Sequence, residues 1–252
     1  MTFENLRLRR RGAFTRLELV VVIVVIVPFA GLIPGGPAPK AVQRAKRINC
    51  LSNLKQMGIG LQLYANENGG DYPFFNNLLG NGRVWTNFAA AGKYVTTPKL
   101  LLCPSDDGKW KGLKNKPPAE FSKEESGFAN PANQENALSY FYGISASETD
   151  PNTVLSGDRN LTANQPDGPD VSPKWSYAGK VPTGGNPGIS LGGQSTPPSC
   201  GWNNALHHFN GNILLGDGSV QQMTTPSLVE LLAKNEDTNN FFLFPINAPG
   251  EK

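Results

Sequence analysis

Histidine is nearly absent from this chain, which has only His207 and His208 among 252 residues. A hydrolase built on these residues would use His207 with Asp158 and with Ser219 or Asp217. The sequence lacks the G-x-S-x-G turn that presents a nucleophilic serine. It also lacks the glycine-rich loops that bind phosphate. The sequence therefore predicts no catalytic site and a protein that is not an enzyme.

Charge of either sign is sparse. Charged residues make up 17% of the chain, the formal net charge is +3, and the four tryptophans are not interleaved with a basic patch. These features argue against a nucleic-acid-binding protein, which needs a concentrated basic surface. Hydrophobic residues reach only 38%, whereas glycine (28) and proline (21) are abundant. This composition predicts a loop-rich fold with a modest core.

Cysteine is also scarce: Cys50, Cys103 and Cys200 are the three in the chain, and no C-x-x-C pair occurs. That spacing disfavours a zinc ribbon. In an exported protein, three cysteines leave room for one disulfide and one free thiol. We expect a Cys50–Cys103 bridge, because Cys50 precedes an apolar helical face and Cys103 follows the apolar run KLLL, which should pack on that face. The alternative is that both thiols are buried and reduced.

The long hydrophobic run lies near the N-terminus. Residues 1–12 are basic, and Leu19 to Pro39 carry no charged side chain, with Glu18 at the edge of the run. A secretory signal peptide would need a small-x-small cleavage site after the run, and the following PGGPAPK supplies none. A plain membrane anchor is an alternative, because residues 14–33 in a helix would span about 30 Å at ~1.5 Å per residue.

The stretch RRGAFTRLELVVVIVVIV resembles the processing signal of type IV pilins and type II secretion pseudopilins. In that family a prepilin peptidase removes a basic leader, and the mature chain begins with Phe-Thr-x-x-Glu and a hydrophobic helix. The resemblance implies a leader at 1–13, cleavage after Gly12 or Ala13, and Phe14 as the first mature residue. It also implies a transmembrane and assembly helix at 14–33, in a single-pass protein of the bacterial inner membrane.

Glu18 takes the fifth mature position, where the family's glutamate pairs with the N-terminal amine of a neighbouring subunit. A carboxylate among apolar helices is costly unless a cation meets it, so such a pair would set the register between subunits. The resemblance therefore implies an assembly role for Glu18. The alternative is that its carboxylate only caps the start of the helix, where it suits the helix dipole.

A Pro/Gly break at 34–40 separates the hydrophobic run from a second helical pattern. Apolar residues recur every three or four positions from Ile48 to Tyr64, which predicts an amphipathic helix over 41–66. Residues 67–252 would form a periplasmic or extracellular body with long loops, in which NILLGDGSVQQMT is a hairpin. The predicted fold class is α+β: a long N-terminal hydrophobic helix, broken near Pro34, packed on a small antiparallel sheet.

The body resembles a bacterial subgroup of pilin-like proteins that carries a C-terminal H-X9-DG motif. Here the motif is formed by His207, Asp217 and Gly218. Three other stretches occur in the subgroup's order, namely INCLSNLKQMGIGLQLYANENGGDYP, LLCPSDD, and SYFYGISA with VLSGDRN. The resemblance therefore covers most of the chain.

No cofactor is expected, although calcium is a candidate because some pseudopilins hold it in C-terminal loops. Its oxygen ligands would come from Asp106, Asp158 and Asp217. The chain has no D-x-D-x-D loop. The alternatives are that Asp217 caps its turn, that His207 makes a local hydrogen bond, and that Asp158 and Arg159 form a buried ion pair tying a strand to the helix.

Together these features imply a structural subunit. It would be cut and N-methylated by a prepilin peptidase and assembled with other pilin-like subunits into a type II secretion pseudopilus or a type IV pilus-like filament. The alternative is a single-pass anchored cell-surface protein whose body binds a polysaccharide or another ligand. Replacement of Glu18 distinguishes the two, because only a filament subunit should lose assembly.

Overall fold

A computed structural model describes residues 15–30, 39–73, 83–114, 116–163, 188–191, 200–235 and 240–245. The chain divides between Val42 and Gln43 into two units. The first unit contains helix α1 (Arg16–Ala30) and the start of helix α2 (Pro39–Glu67). The second contains the rest of α2 and the sheet.

Helix α1 begins in a capping box. Thr15 Oγ1 accepts the backbone N–H of Glu18 at 3.2 Å, and Glu18 Oε2 accepts the backbone N–H of Thr15 at 3.0 Å. This reciprocal pair satisfies two N–H groups that have no partner inside the helix. The apolar side chains that follow, from Leu17 to Val25, are exposed, and Leu17 reaches 75%.

The prediction of an N-terminal helix long enough to cross a membrane is wrong. Helix α1 has 15 residues, which is about 22 Å at ~1.5 Å per residue, against ~30 Å for a bilayer core. Among the described residues, no helix combines the length and the apolar character needed to cross a membrane. The apolar run carries Pro28, a residue that disfavours helix, within α1, and residues 31–38 lie outside the described part of the chain. Pro34 lies outside the described residues, so the break predicted there is not described.

Helix α2 packs on the sheet. It covers 29 residues and starts with Pro39, a residue well suited to a first helical turn. Its buried face consists of Cys50, Leu54, Met57, Gly58, Gly60, Leu61 and Ala65. Ile48, which begins the predicted stripe, is 60% exposed. Contact with the sheet is close at Gly58, where a Cβ would lie 2.6 Å from Leu214 Cδ1.

Six described strands form one antiparallel sheet in the order β4-β8-β1-β2-β6-β7, and β3 pairs with β5 separately. The strands are β1 (Tyr140–Gly143), β2 (Val154–Asp158), β3 (Leu161–Ala163), β4 (Gly188–Ser190), β5 (Cys200–Trp202), β6 (Asn210–Leu215), β7 (Val220–Thr224) and β8 (Phe241–Leu243). The predicted GDGS hairpin is therefore β6–β7. The fold class is α+β, as expected, with the sheet at its centre.

Helices cover both faces of the sheet. Further helices are α3 (Val84–Ala90), α4 (Asp107–Gly112) and α5 (Thr225–Lys234). Side chains alternate between the faces along each strand: Leu214 packs in the core cluster with α2 and α3, whereas Ile213 packs with α5.

Part of the segment 104–138 belongs to the core. Its Phe128 is fully buried and meets Phe121 at a centroid distance of 5.5 Å. Lys109 Nζ donates to the carbonyl of Glu135 at 2.9 Å. The segment lacks periodicity because its residues are placed by such individual contacts rather than by a regular face.

Candidate functional site

Three sequence segments that are far apart in the chain, CPSDD, SGDRN and LHHF, meet in one buried cluster beside α2. We call it the polar cluster. Its carboxylates and its histidine are at most 4% exposed, and both cysteines are fully buried. The members are Cys50, Cys103, Asp106, Asp158, Arg159 and His207.

A disulfide joins Cys50 to Cys103, the predicted pair, with a Cα–Cα distance of 5.0 Å. It links the middle of α2 to the segment just before α4. The carbonyl of Cys103 accepts the indole N–H of Trp110 at 3.0 Å, which holds that segment against α4. Cys200 lies buried in β5 as a free thiol.

Asp106 and Arg159 form a forked ion pair. Arg159 Nε donates to Oδ2 of Asp106 at 2.7 Å and Nη2 donates to Oδ1 at 2.8 Å. Asp106 also caps α4 by accepting the backbone N–H of Lys109 at 3.2 Å. Burial alone would raise the pKa of Asp106, but the Arg159 guanidinium holds it below its ordinary value. The alternative considered from the sequence, an ion pair between Asp158 and Arg159, is wrong, because Arg159 pairs with Asp106.

Asp158 ends β2 in a fully buried position. Its Oδ2 accepts the backbone N–H of Asn212 at 2.7 Å and the Asn212 side-chain amide at 2.9 Å. Its Oδ1 is buried and has no hydrogen-bond partner in the described part of the chain. Burial raises the pKa of Asp158 to about 7, against the two hydrogen bonds from Asn212, which lower it.

His207 stands between the disulfide and Asp158. Its Nε2 lies 3.5 Å from Cys103 Sγ and 3.3 Å from Asp158 Oδ2. Burial lowers the pKa of His207 to about 4, and the nearby charge of Arg47 lowers it further. The imidazole is therefore neutral at neutral pH.

The H-X9-DG motif brackets strand β6 and ties both of its ends to α2. Arg47 Nη2 donates to the carbonyl of His207 at 3.4 Å, and Lys55 Nζ donates to the carbonyl of Gly218 at 2.7 Å. Asp217 is exposed and caps its own turn, accepting the backbone N–H of Ser219 at 2.7 Å. Gly218 has a φ of +76°, which favours glycine. The motif thus has a structural role at this hairpin.

The structure does not unite the three aspartates considered for calcium. Asp106 forms an ion pair with Arg159. Asp158 contacts His207 and Asn212. Asp217 lies exposed at the hairpin turn. The calcium site predicted from these residues is therefore not formed as a single group of ligands.

The contact between His207 and the disulfide was not predicted from the sequence. His207 is 104 residues from Cys103, and no local sequence pattern links the two. Arg47 was also missed. Its place three residues before Cys50, off the apolar stripe, was the available indication that the polar cluster extends along α2.

Glu18 occupies the capping position considered as its alternative role, because its described hydrogen bonds all go to Thr15. The processing residues Gly12, Ala13 and Phe14 lie outside the described residues, as does the rest of the leader.

A groove of about 540 Å³ runs beside the disulfide, between α2 and the segment that precedes α4. Its lining includes the half-buried ring of Trp110 and the polar side chains of Asn49, Ser52, Gln56 and Lys99. An aromatic face beside convergent polar groups is typical of a small-ligand site.

Comparison with protein-family models, with curated proteins and with solved structures found no match to this chain. Its function is therefore inferred from its residues and their geometry.

Proposed function

We propose that this chain is a pilin-like structural subunit, processed by a prepilin peptidase at the bacterial inner membrane and assembled into a type II secretion pseudopilus or a type IV pilus-like filament. The observation that carries the proposal is the exposed apolar surface of α1 from Leu17 to Val25, with Glu18 in its first turn. Apolar patches of this kind mark interaction sites. The same helices of neighbouring subunits would cover it.

The capping box prepares Glu18 for this role. Cleavage after Gly12 or Ala13 would leave a new amine only five or four positions before Glu18. Two of the three described bonds with Thr15 use the carboxylate, and both end on Oε2, while a carboxylate can accept several more hydrogen bonds. The charge therefore remains available to the amine of a neighbouring subunit, and among packed apolar helices that cation offsets the cost of removing the carboxylate from water.

The body suits display outside the cytoplasm. A disulfide between Cys50 and Cys103 fits an oxidising compartment. It ties α2, which continues the N-terminal part of the chain, to the segment before α4. The disulfide would therefore brace the folded body, whose core is modest.

N-terminal sequencing tests the proposal. The full chain is co-expressed with a prepilin peptidase, or with a catalytically inactive form of that peptidase as control, and the product is sequenced. The proposal predicts a methylated N-terminus at Ala13 or Phe14 with the active peptidase and an uncut chain with the inactive one. A start at any other position, or cleavage that does not depend on the peptidase, would contradict it.

The groove beside Trp110 favours a second candidate, an anchored cell-surface protein whose body binds polysaccharide. The ring offers an apolar face to sugar C–H groups, and Asn49, Ser52 and Gln56 offer partners for hydroxyl groups. This candidate predicts that Trp110→Ala abolishes binding of the full chain to immobilised cell-surface polysaccharide. Lys111→Ala, at an exposed neighbouring position, should leave binding unchanged. Polysaccharide binding that Trp110→Ala does not alter would remove the groove from consideration.

A further inference from the structure

We propose that the reduced chain binds one zinc ion through Cys50, Cys103 and His207. The site would alternate with the disulfide, since the same two sulfur atoms serve both states. The proposal does not depend on filament assembly, because each of its ligands lies within the second unit of the chain.

The geometry of the cluster carries the proposal. The ligand atoms of Cys50, Cys103 and His207 lie within 4.8 Å of one another. With Zn–S of ~2.3 Å and Zn–N of ~2.0 Å, a tetrahedral site places neighbouring S and N atoms about 3.5 Å apart. The observed separation of Cys103 Sγ and His207 Nε2 is 3.5 Å. One edge of the tetrahedron is thus already set, and reduction breaks the S–S bond, so that the two sulfur atoms can separate around the ion.

Asp158 lies beside the proposed ligands. Its Oδ2 is 3.3 Å from His207 Nε2 and keeps its bonds to Asn212, and its Oδ1 is buried without a hydrogen-bond partner in the described part of the chain. A buried acceptor left unsatisfied is costly, and a cation bound at His207 would offset part of that cost. Arg47, whose Nη2 contacts the His207 carbonyl at 3.4 Å, would offset the charge of the two thiolates around the ion.

The chemical type of the ligand atoms indicates zinc rather than calcium or magnesium. Two thiolates and an imidazole are the ligands that zinc prefers in closed tetrahedral sites, and they disfavour calcium and magnesium, which bind oxygen. The cluster is almost completely buried, as structural zinc sites are. The ion would therefore take the structural place of the disulfide, holding α2 to the segment before α4.

Exchange between the two states requires a dithiol reductant. The dithiol gives two electrons and two protons to the protein disulfide and becomes a disulfide itself, which leaves Cys50 and Cys103 as thiols. Zinc then displaces one proton from each thiol and forms two metal–sulfur bonds. A disulfide oxidant reverses the sequence: it takes two electrons from the thiolates and two protons from solvent, becomes a dithiol, and the ion is released as the Cys50–Cys103 bond forms. A reducing compartment would therefore favour the zinc form and an oxidising one the disulfide.

Cobalt titration tests the site, because tetrahedral Co²⁺ with thiolate ligands absorbs visible light and has a sulfur charge-transfer band in the near ultraviolet. The full chain is reduced with a phosphine, freed of the phosphine without air, and titrated with Co²⁺. We expect both absorptions to saturate at one Co²⁺ per reduced chain, zinc to abolish them, and the disulfide form to show neither.

Variants separate this site from adventitious binding. His207→Ala and Asp158→Asn should each weaken Co²⁺ binding by at least about tenfold, and Cys103→Ser should reduce the charge-transfer band. Cys200→Ser is the matched control and should leave binding unchanged. The proposal is overturned if the reduced chain shows no cobalt absorption at one equivalent, whether or not circular dichroism finds it folded. Equal binding by the disulfide form or by His207→Ala would also overturn it.

Discussion

At the scale of single residues, the two buried aspartates of the polar cluster differ in their partners. Asp106 receives two guanidinium bonds from Arg159 and the backbone N–H of Lys109. Asp158 instead meets neutral donors from Asn212 and a neutral His207, and its pKa rises to about 7. Two aspartates in one cluster therefore have opposite pKa shifts, because one faces a cation and the other does not.

Asp106→Ala should lower the free energy of unfolding by about 3 to 5 kcal/mol, because it leaves the guanidinium of Arg159 buried without its anion. Asp107→Ala is the control at the next position. Its carboxylate is 71% exposed and pairs with Lys46 at 3.3 Å, so the loss should stay below about 1 kcal/mol. Urea denaturation of the two variants makes the comparison. Equal losses would mean that the forked pair contributes nothing beyond a surface contact.

Asp158→Asn should make stability rise more steeply with pH than it does in the wild type. The pKa of Asp158 rises on folding from 3.8 to about 7, so its contribution to stability falls as pH rises through this window. The pKa of His207 falls on folding from 6.5 to about 4, so its contribution rises over nearly the same window. In the wild type the two oppose each other. The charged neighbours Arg47, Asp106 and His208 are the same in both proteins.

Denaturation midpoints measured from pH 4.5 to pH 6.5, on the oxidised and metal-free chain, test this pH dependence. The slope difference should approach, at most, about 1.4 kcal/mol per pH unit. A variant whose stability falls with pH relative to the wild type would show that the pKa of Asp158 does not rise on folding.

At the scale of elements, α2 is the central part of the body. Its small residues allow close contact with the sheet, and its basic residues bind carbonyls at both ends of β6. The disulfide fixes the same helix to the segment before α4. Packing, hydrogen bonds and one covalent bond thus all act on a single helix.

Gly58→Val should destabilise the body by about 1 to 3 kcal/mol, because the added side chain has no room against Leu214 and overpacks the core. Gly112→Val is the control. That glycine is also helical, but nothing lies within 4 Å of a Cβ placed there. Thermal unfolding followed by circular dichroism compares the two variants. A midpoint for Gly58→Val that matches that of Gly112→Val would show that α2 does not pack on β6 as described.

The disulfide predicts a simple thiol count. Alkylation of the exported chain in denaturant should modify one cysteine, Cys200, without reductant, and all three after reduction. The bridge closes a segment with a sequence separation of 53, so its loss should cost ~4 kcal/mol in the chain-entropy model. Peptide mapping identifies the modified positions. Alkylation of Cys103 before reduction rules the bridge out.

Local patterns in the sequence predicted those elements that local chemistry determines. The turn residues GDGS indicated the β6–β7 hairpin, and apolar periodicity indicated α2 to within two residues at its start. The length predicted for the N-terminal helix was wrong, because the prediction followed the apolar run and gave too little weight to the helix-breaking residues within it. The polar cluster was not predictable as a unit, since its members are spread from residue 50 to residue 207 and, apart from the disulfide, are joined by noncovalent tertiary contacts.

At the scale of the whole molecule, the account assigns different tasks to the two units. The first would supply an apolar assembly surface with one carboxylate, and the second a braced body carried by the filament. An apolar helix with exposed side chains is a liability for an isolated chain. It becomes useful when identical helices cover one another and a single charge pair selects their register.

The central claim is that the charge of Glu18, and not only its capping of α1, is needed for assembly. Glu18→Gln separates these roles, because glutamine also completes a capping box but carries no charge. Thr15→Ala is the matched control, since it removes the Thr15 hydroxyl from the box and keeps the carboxylate. The measurement is the amount of subunit in sheared, pelleted filaments from cells that contain the prepilin peptidase and the assembly machinery. The account predicts that Glu18→Gln is processed but absent from the pellet, whereas Thr15→Ala is present. Normal filament assembly by Glu18→Gln would contradict it.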